Sequence, residues 1–182
     1  MSMNEFYKKL EKLNSGVLYE REMERAFVAL LGNYAAVGEG MEDAKIYPSV
    51  RGVPLVMGDA VEDAEDAISE ARNRTSYVVV IASGYEDAEG DQSCTLRIVI
   101  STKLYDGTGQ EERHEKWCAA VRGIMSYAGQ MAGVLEAFAA LNTGVTVAGW
   151  ERDEQPPVDQ YLKSQWVHEE TYHVTGVLSC NG

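Results

Sequence analysis

Residues 77 to 83 read YVVVIAS, β-branched and apolar almost throughout, as a strand covered on both faces reads. Residues 94 to 105, CTLRIVISTKLY, alternate instead. Leu96, Ile98, Ile100 and Leu104 share one side, while Arg97, Ser101 and Lys103 share the other. The polar stretch GYEDAEGDQS between the two runs predicts a turn, so together they form a hairpin. Its core is expected on Ile98, Ile100, Val79 and Ile81. Two further runs, VTVAGWER (145–152) and SQWVHEETYHVTGVL (164–178), predict a second hairpin around the Pro156–Pro157 connection.

A period near 3.6 appears elsewhere. Residues 4 to 31 read as helical, with a break expected at Asn14–Gly16 and a stop at Gly32–Asn33. Leu18, Met23, Phe27, Leu30 and Leu31 form its apolar face. Residues 59–72 carry a thin stripe of Val61, Ala64, Ile68 and Ala71 on an acidic helix. Residues 109–130 place Trp117, Val121, Ile124 and Met125 toward the sheet, and a last helical piece, 132–144, ends at Gly144. Between the first helix and this core lies a Gly-, Pro- and acid-rich segment, 38 to 59, which reads as a long loop with extended pieces. Loops of that length are usually functional or partly disordered.

The order predicts an α+β fold: a single antiparallel or mixed sheet of about four strands, in two hairpins, with helices mainly on one face. At 182 residues the chain is long enough for one domain and short for two. That domain divides into an N-terminal helical region (1–36), the long loop (37–59) and an α+β core (60–182).

Charge changes the picture more than composition does. A hydrophobic fraction of 45% and a charged fraction of 25% are ordinary for a globular chain, but a net charge of −13 is not. It argues against broad binding to phosphates or anionic membranes, which need clustered Lys and Arg. An acidic wall that nucleic acid slides past remains compatible. Cys94, Cys118 and Cys180 are odd in number and lack a CxxC spacing, as expected of free thiols in a reducing compartment. The N-terminus has no apolar signal region, and MAGVLEAFAAL (131–141) is too short to span a bilayer, so a protein of the cytoplasm without membrane attachment is expected.

Candidate chemistry is thin. Residues five apart on a strand face opposite ways, so His168 and His173 do not share a metal. Neither DAEGDQ nor DAVEDAED has the ligand spacing of a calcium loop, and there is no GxSxG or phosphate-loop pattern. His114 and Cys118 stand one helical turn apart, but that phase also sets Cys118 beside Trp117 and Val121, where a core thiol is expected. Asp153 and Glu154, adjacent on a strand, do not cooperate as an acid/base pair. No catalytic residue, cofactor or metal is expected, and no enzymatic activity.

The stretch that ends in Pro156–Pro157 carries a more specific pattern. Trp150, a short spacer, then Asp153, Glu154, Gln155 and Pro156, followed by a final strand with Trp166 and Tyr172, resembles the C-terminal pattern of tail terminator (tail-completion) proteins of tailed bacteriophages and prophages. The strand CTLRIVISTKLYD and the Trp117 helix are similar to that family's second strand and following helix, so the likeness spans about residues 77 to 178. The resemblance implies a ring, a hexamer by expectation, on the end of the tail tube. Such a ring stops tube growth and presents a surface to the head–tail connector. It also implies that the tail tube protein and connector are partners, that DNA passes through the lumen unbound, and that the protein moves from host cytoplasm to virion tail. It implies no catalytic residue.

On this reading the WERDEQPP stretch is a structural corner, with Trp150 buried and Asp153 or Glu154 bonding backbone NH groups. Tyr47, Pro48 and Arg51 in the long loop would reach a neighbouring subunit, since Tyr and Arg are enriched at energetic centres of interfaces. The competing expectations are a small-molecule-binding or enzymatic α+β domain, and an acidic inhibitor or immunity-type protein that masks a basic partner.

Overall fold

The structure, a computed structural model, describes residues 3–35, 41, 44, 46–49, 76–103, 110–130, 144–153, 158–162 and 165–178. The helices expected over 59–72 and 132–144, together with Arg51, Glu154, Gln155, Pro156 and Cys180, lie outside them. The described elements are helix α1 (Met3–Ala35), strands β1 (Ile46–Pro48), β2 (Ser76–Ala88) and β3 (Asp91–Lys103), helix α2 (Gln110–Gln130), and strands β4 (Val145–Arg152), β5 (Val158–Leu162) and β6 (Gln165–Leu178). The fold is α+β. One mixed sheet runs in the order β1-β2-β3-β6-β4, with β5 also paired to β6, and β1 joins β2 in parallel while every other pairing is antiparallel.

Both expected hairpins form, but each differs from its expected outline. In the first, the strands run through the polar stretch and close on a two-residue turn. Glu89 (φ 56°) and Gly90 (φ 99°) sit between the paired Ala88 and Asp91, and Asp87 Oδ1 accepts the Gly90 amide at 3.1 Å. Positive φ at both positions is what matches the twist of the flanking strands. In the second, Pro156–Pro157 is not the hairpin turn. Strands β4 and β5 run the same way along one edge of β6, with Arg152 opposite Tyr172 and Val158 opposite Glu169. Strands β4 and β5 therefore follow one another along the same side of β6, and the chain reverses between the paired Leu162 and Gln165.

The core lies between the two helices and one face of the sheet. Val78, Val80 and Ala82 from β2 meet Ile100, Ile98 and Leu96 from β3, all fully buried. Val79 and Ile81 pair with Val99 and Arg97 on the opposite face and are half-buried, which corrects their expected place in this core. A run apolar at every step leaves its inward parity undetermined; register to the alternating β3 decides it. From α2, Trp117, Val121 and Met125 are buried against the sheet as expected, with Ile124 half-buried.

Helix α1 runs unbroken through Asn14–Gly16 and continues past Gly32. Gly16 falls where the Tyr85 ring passes, so a Cβ there would come within 2.8 Å of it. Met23, Phe27, Leu30 and Leu31 are buried, whereas Leu18 is 41% exposed and leaves the apolar face to Tyr19. Carboxylates on α1 hold the sheet's backbone. Glu24, itself buried, accepts the amides of Ala82 (3.0 Å) and Ser49 (3.2 Å) and the Ser49 hydroxyl. One turn earlier, Glu20 accepts the Tyr85 amide at 3.1 Å, and Glu22 accepts the Gly144 amide at 2.8 Å. Because β1 pairs only with residues 78–80 of β2, Glu24 and Glu20 take over where that pairing ends, and the β2 edge stays covered.

Candidate functional site

Two β-bulges set which side chains enter the helix-covered face. In β2 the register slips between Ser83 and Glu86 at Gly84 (φ 68°), so Tyr85 packs on Tyr19 with ring centroids 5.0 Å apart. In β4 it slips between Val147 and Gly149. Val145 and Val147 point inward with odd parity before the slip, and Trp150 and Arg152 point inward with even parity after it. A one-residue slip exchanges the faces of everything downstream.

The sequence marked Trp150 as buried; it is half-buried. Its ring edge meets Phe27 at 5.3 Å and its Nε1 donates to the Met125 carbonyl at 3.0 Å, so it ties β4 to both helices. Asp153 is exposed, and its own amide donates to the Thr171 carbonyl at 2.9 Å. Tyr47 and Pro48, expected in a loop, form β1 opposite Val79 and Val80 and are half-buried. They lie at the sheet edge opposite to Trp150, with β2, β3 and β6 between. Tyr47 and Pro48 are thus held at one edge of the sheet and Trp150 at the other.

What the sequence reading did not mark is the polar cluster in the middle of β6. Trp166, His168, Glu170, Tyr172 and Val174 alternate onto the core face, and His168 (3% exposed) and Glu170 (1%) are as buried as the aliphatic residues beside them. His168 was expected to be an ordinary polar strand residue; it is interior, while His173 faces out. Glu170 is the hub. His168 Nε2 donates to its Oε1 at 3.0 Å and the Tyr172 hydroxyl to its Oε2 at 2.6 Å. Arg122 of α2 brings Nε to 2.9 Å and Nη2 to 2.8 Å of Oε1, and Arg152 approaches the same oxygen at 4.0 Å. Burial pushes the Glu170 carboxyl up, but hydrogen bonds from His168, Tyr172 and Arg122 outweigh it and hold the group at about 2. Tyr172 is driven the other way, first by burial and then by its bond to the carboxylate, so it remains a neutral donor.

Beyond His168 the cluster continues to the end of the face where α2 begins. The His168 ring stands 6.4 Å from His114, edge to face. His114 Nδ1 lies 2.8 Å from the buried Thr102 Oγ1, and its Nε2 lies 3.6 Å from Cys118 Sγ. Cys118 is half-buried, and Cys94 is fully buried and pushed up to about 12, by burial first and then by Glu20 and Glu24. Neither forms a disulfide. Among the described residues no three His, Cys, Asp or Glu side chains are placed to hold a metal ion, and no helix is long and apolar enough to cross a membrane.

The period-two spacing of His168, Glu170 and Tyr172 was visible in HEETYH. What hid its meaning was that three polar side chains on one side of a strand normally mark the solvent face, whereas here Arg122, brought from α2, bonds the buried Glu170 carboxylate. No protein-family model and no curated protein matches the chain.

Proposed function

We propose that the chain is a structural protein of a tailed phage or prophage that forms a ring on the tail tube, ends its growth and offers a surface to the head connector. The observation that supports this reading best is that β1, which carries two of the expected contact residues, lies at the opposite edge of the sheet from β4. A closed ring needs a heterologous interface, in which one patch of each subunit meets a different patch of the next. Strand β1, with Tyr47 and Pro48, stands at one edge of the sheet, and the β4–β5 edge stands at the other, four strand spacings or about 19 Å away. A subunit built so can hand one edge to each neighbour. The net charge of −13 suits a lumen through which a duplex passes unheld. The buried polar cluster acts on this reading as a strut between α2, β4 and β6, and no substrate is turned over.

Sedimentation velocity on the purified chain, alone and with tail tubes, tests the proposal. A single discrete ring, or ring formation on tube ends, is the expected result; a monomer that ignores tubes refutes it. Arg51→Glu is expected to abolish assembly while leaving the monomer's thermal melt in place. A stoichiometric complex with a basic protein would instead favour the inhibitor alternative.

A further inference from the structure

Around Glu170 the charge balance of the whole chain is reversed. Acidic residues outnumber basic ones by 29 to 16, yet here one buried carboxylate is shared by Arg122 of α2 and Arg152 of β4. Among the described residues neither arginine pairs with a second carboxylate. With His168 neutral, one positive charge is left in excess. Donors are left over too. Arg122 uses Nε and Nη2 on Glu170 Oε1, at 2.9 and 2.8 Å, so its Nη1 group is not engaged there. Arg152 stands 4.0 Å from that oxygen, beyond hydrogen-bond length, and its guanidinium makes no hydrogen bond among the described residues. Both arginine side chains are half in solvent, at 47% and 40%, while the carboxylate between them is buried. Arg122 is fixed by its two bonds, and Arg152 is carried on the edge strand of the sheet, opposite Tyr172. Two guanidinium forks so placed around one oxygen are the donor set that a planar carboxylate accepts.

We propose that Arg122 and Arg152 form a binding site for a carboxylate group, supplied by a free carboxylic acid or by an aspartate or glutamate of a second copy of this chain. The incoming carboxylate bridges the two guanidiniums on their solvent side, above Glu170. One negative charge neutralises the excess there. A doubly charged phosphate would exceed it, and would meet both the Glu170 carboxylate and a net charge of −13. On the ring reading the β4 edge is where a neighbouring subunit stands, and a chain this acidic has carboxylates to offer it. Binding of a free carboxylate needs no ring, so the site stands or falls separately from that reading.

The test follows the arginine Nε–H signals of the full isotope-labelled chain by NMR, as sodium acetate replaces sodium chloride at constant ionic strength. The Arg122 and Arg152 signals are expected to move together and to saturate, and inorganic phosphate is expected to bind more weakly than acetate. Arg152→Gln is expected to stay folded and to weaken acetate binding about tenfold, read from the Arg122 signal. Arg152→Lys, which keeps the charge but not the fork, is expected to fall between the two. No saturable movement in the parent chain, tighter binding of phosphate, or a folded Arg152→Gln chain that binds acetate as its parent does overturns the proposal. Should Arg152→Gln unfold, Arg152→Lys decides, and an unchanged acetate affinity in it overturns the proposal. Sedimentation velocity over a range of chain concentrations then separates the two sources. Self-association that acetate and Arg152→Gln both remove assigns the carboxylate to a second copy. A chain that binds acetate but stays monomeric, or associates regardless of both, assigns it to a free acid.

Discussion

Arg122 in α2 and Glu170 in β6 are 48 residues apart in the chain, yet two guanidinium nitrogens stand at 2.9 and 2.8 Å from one carboxylate oxygen. The arginine is half in solvent, with 47% of its side chain exposed, while the glutamate is buried to 1%. The pair therefore fastens a surface helix to the interior of the sheet. Its value lies less in its own attraction than in what its loss would leave. Without Glu170, His168, Tyr172 and Arg122 would all lose an acceptor, two of them in a buried place. Glu170→Ala is expected to cost about 3–5 kcal/mol in urea melts, whereas a packed apolar replacement of the whole group would cost far less.

The same carboxyl sets an acid dependence. Its folded pKa of about 2 lies below the ordinary unfolded value, so the stabilisation is fully present above the unfolded pKa. It is lost as pH falls from about 4.5 toward 2, and amounts to about 3 kcal/mol. The groups facing it are His168 and Tyr172 on β6, Arg122 on α2 and Arg152 on β4. Glu170→Gln is expected to flatten the fall in stability over that window in melts at pH 5, 4 and 3. An unchanged slope would show that other carboxyls carry the acid sensitivity.

The corrected face of β2 has its own test. Val80 is fully buried opposite Ile98, and Val79, one residue earlier, is half-buried on the other face. Val80→Ala is expected to cost about 2 kcal/mol and Val79→Ala about half that, with Ile98→Ala at roughly 2–5 kcal/mol. Equal costs for the two valines would contradict the register.

Glu89 holds a backbone conformation that suits asparagine better. At φ 56° in the hairpin turn before Gly90, it occupies the position where Asn-Gly is the preferred pair. Glu89→Asn is expected to stabilise the chain by about 0.5–1 kcal/mol, read as a rise in the melting temperature. A lower melt would mean that the turn is not of this type.

Trp150 separates a corner role from a contact role. Its N–H bond to Met125 and its edge contact with Phe27 both belong to the subunit itself. Trp150→Ala is expected to lower monomer stability by about 2–4 kcal/mol, and Trp150→Phe by less, because the ring contact survives. Loss of assembly in Trp150→Ala without loss of monomer stability would move this residue to the interface.

By itself the sequence determined the α+β class, the two hairpins and the apolar face of α2, because alternation in β3 and the 3.6 period around Trp117 and Val121 are local properties. It also determined that His168 and His173 point apart, which follows from strand geometry alone. Parity was left to the tertiary structure wherever the local pattern was silent. The uniform run 77–81 has no inward side until β3 pairs with it, and the slip at Ala148 carries Trp150 and Arg152 inward against the parity of Val145 and Val147. The buried cluster was decided in the same way. Among the described residues, His168, Glu170 and Tyr172 share their buried carboxylate with Arg122 from another element, and no spacing along β6 records that contact. Burial of polar groups is settled by their partners, and partners that meet only in the fold are not written in any local pattern.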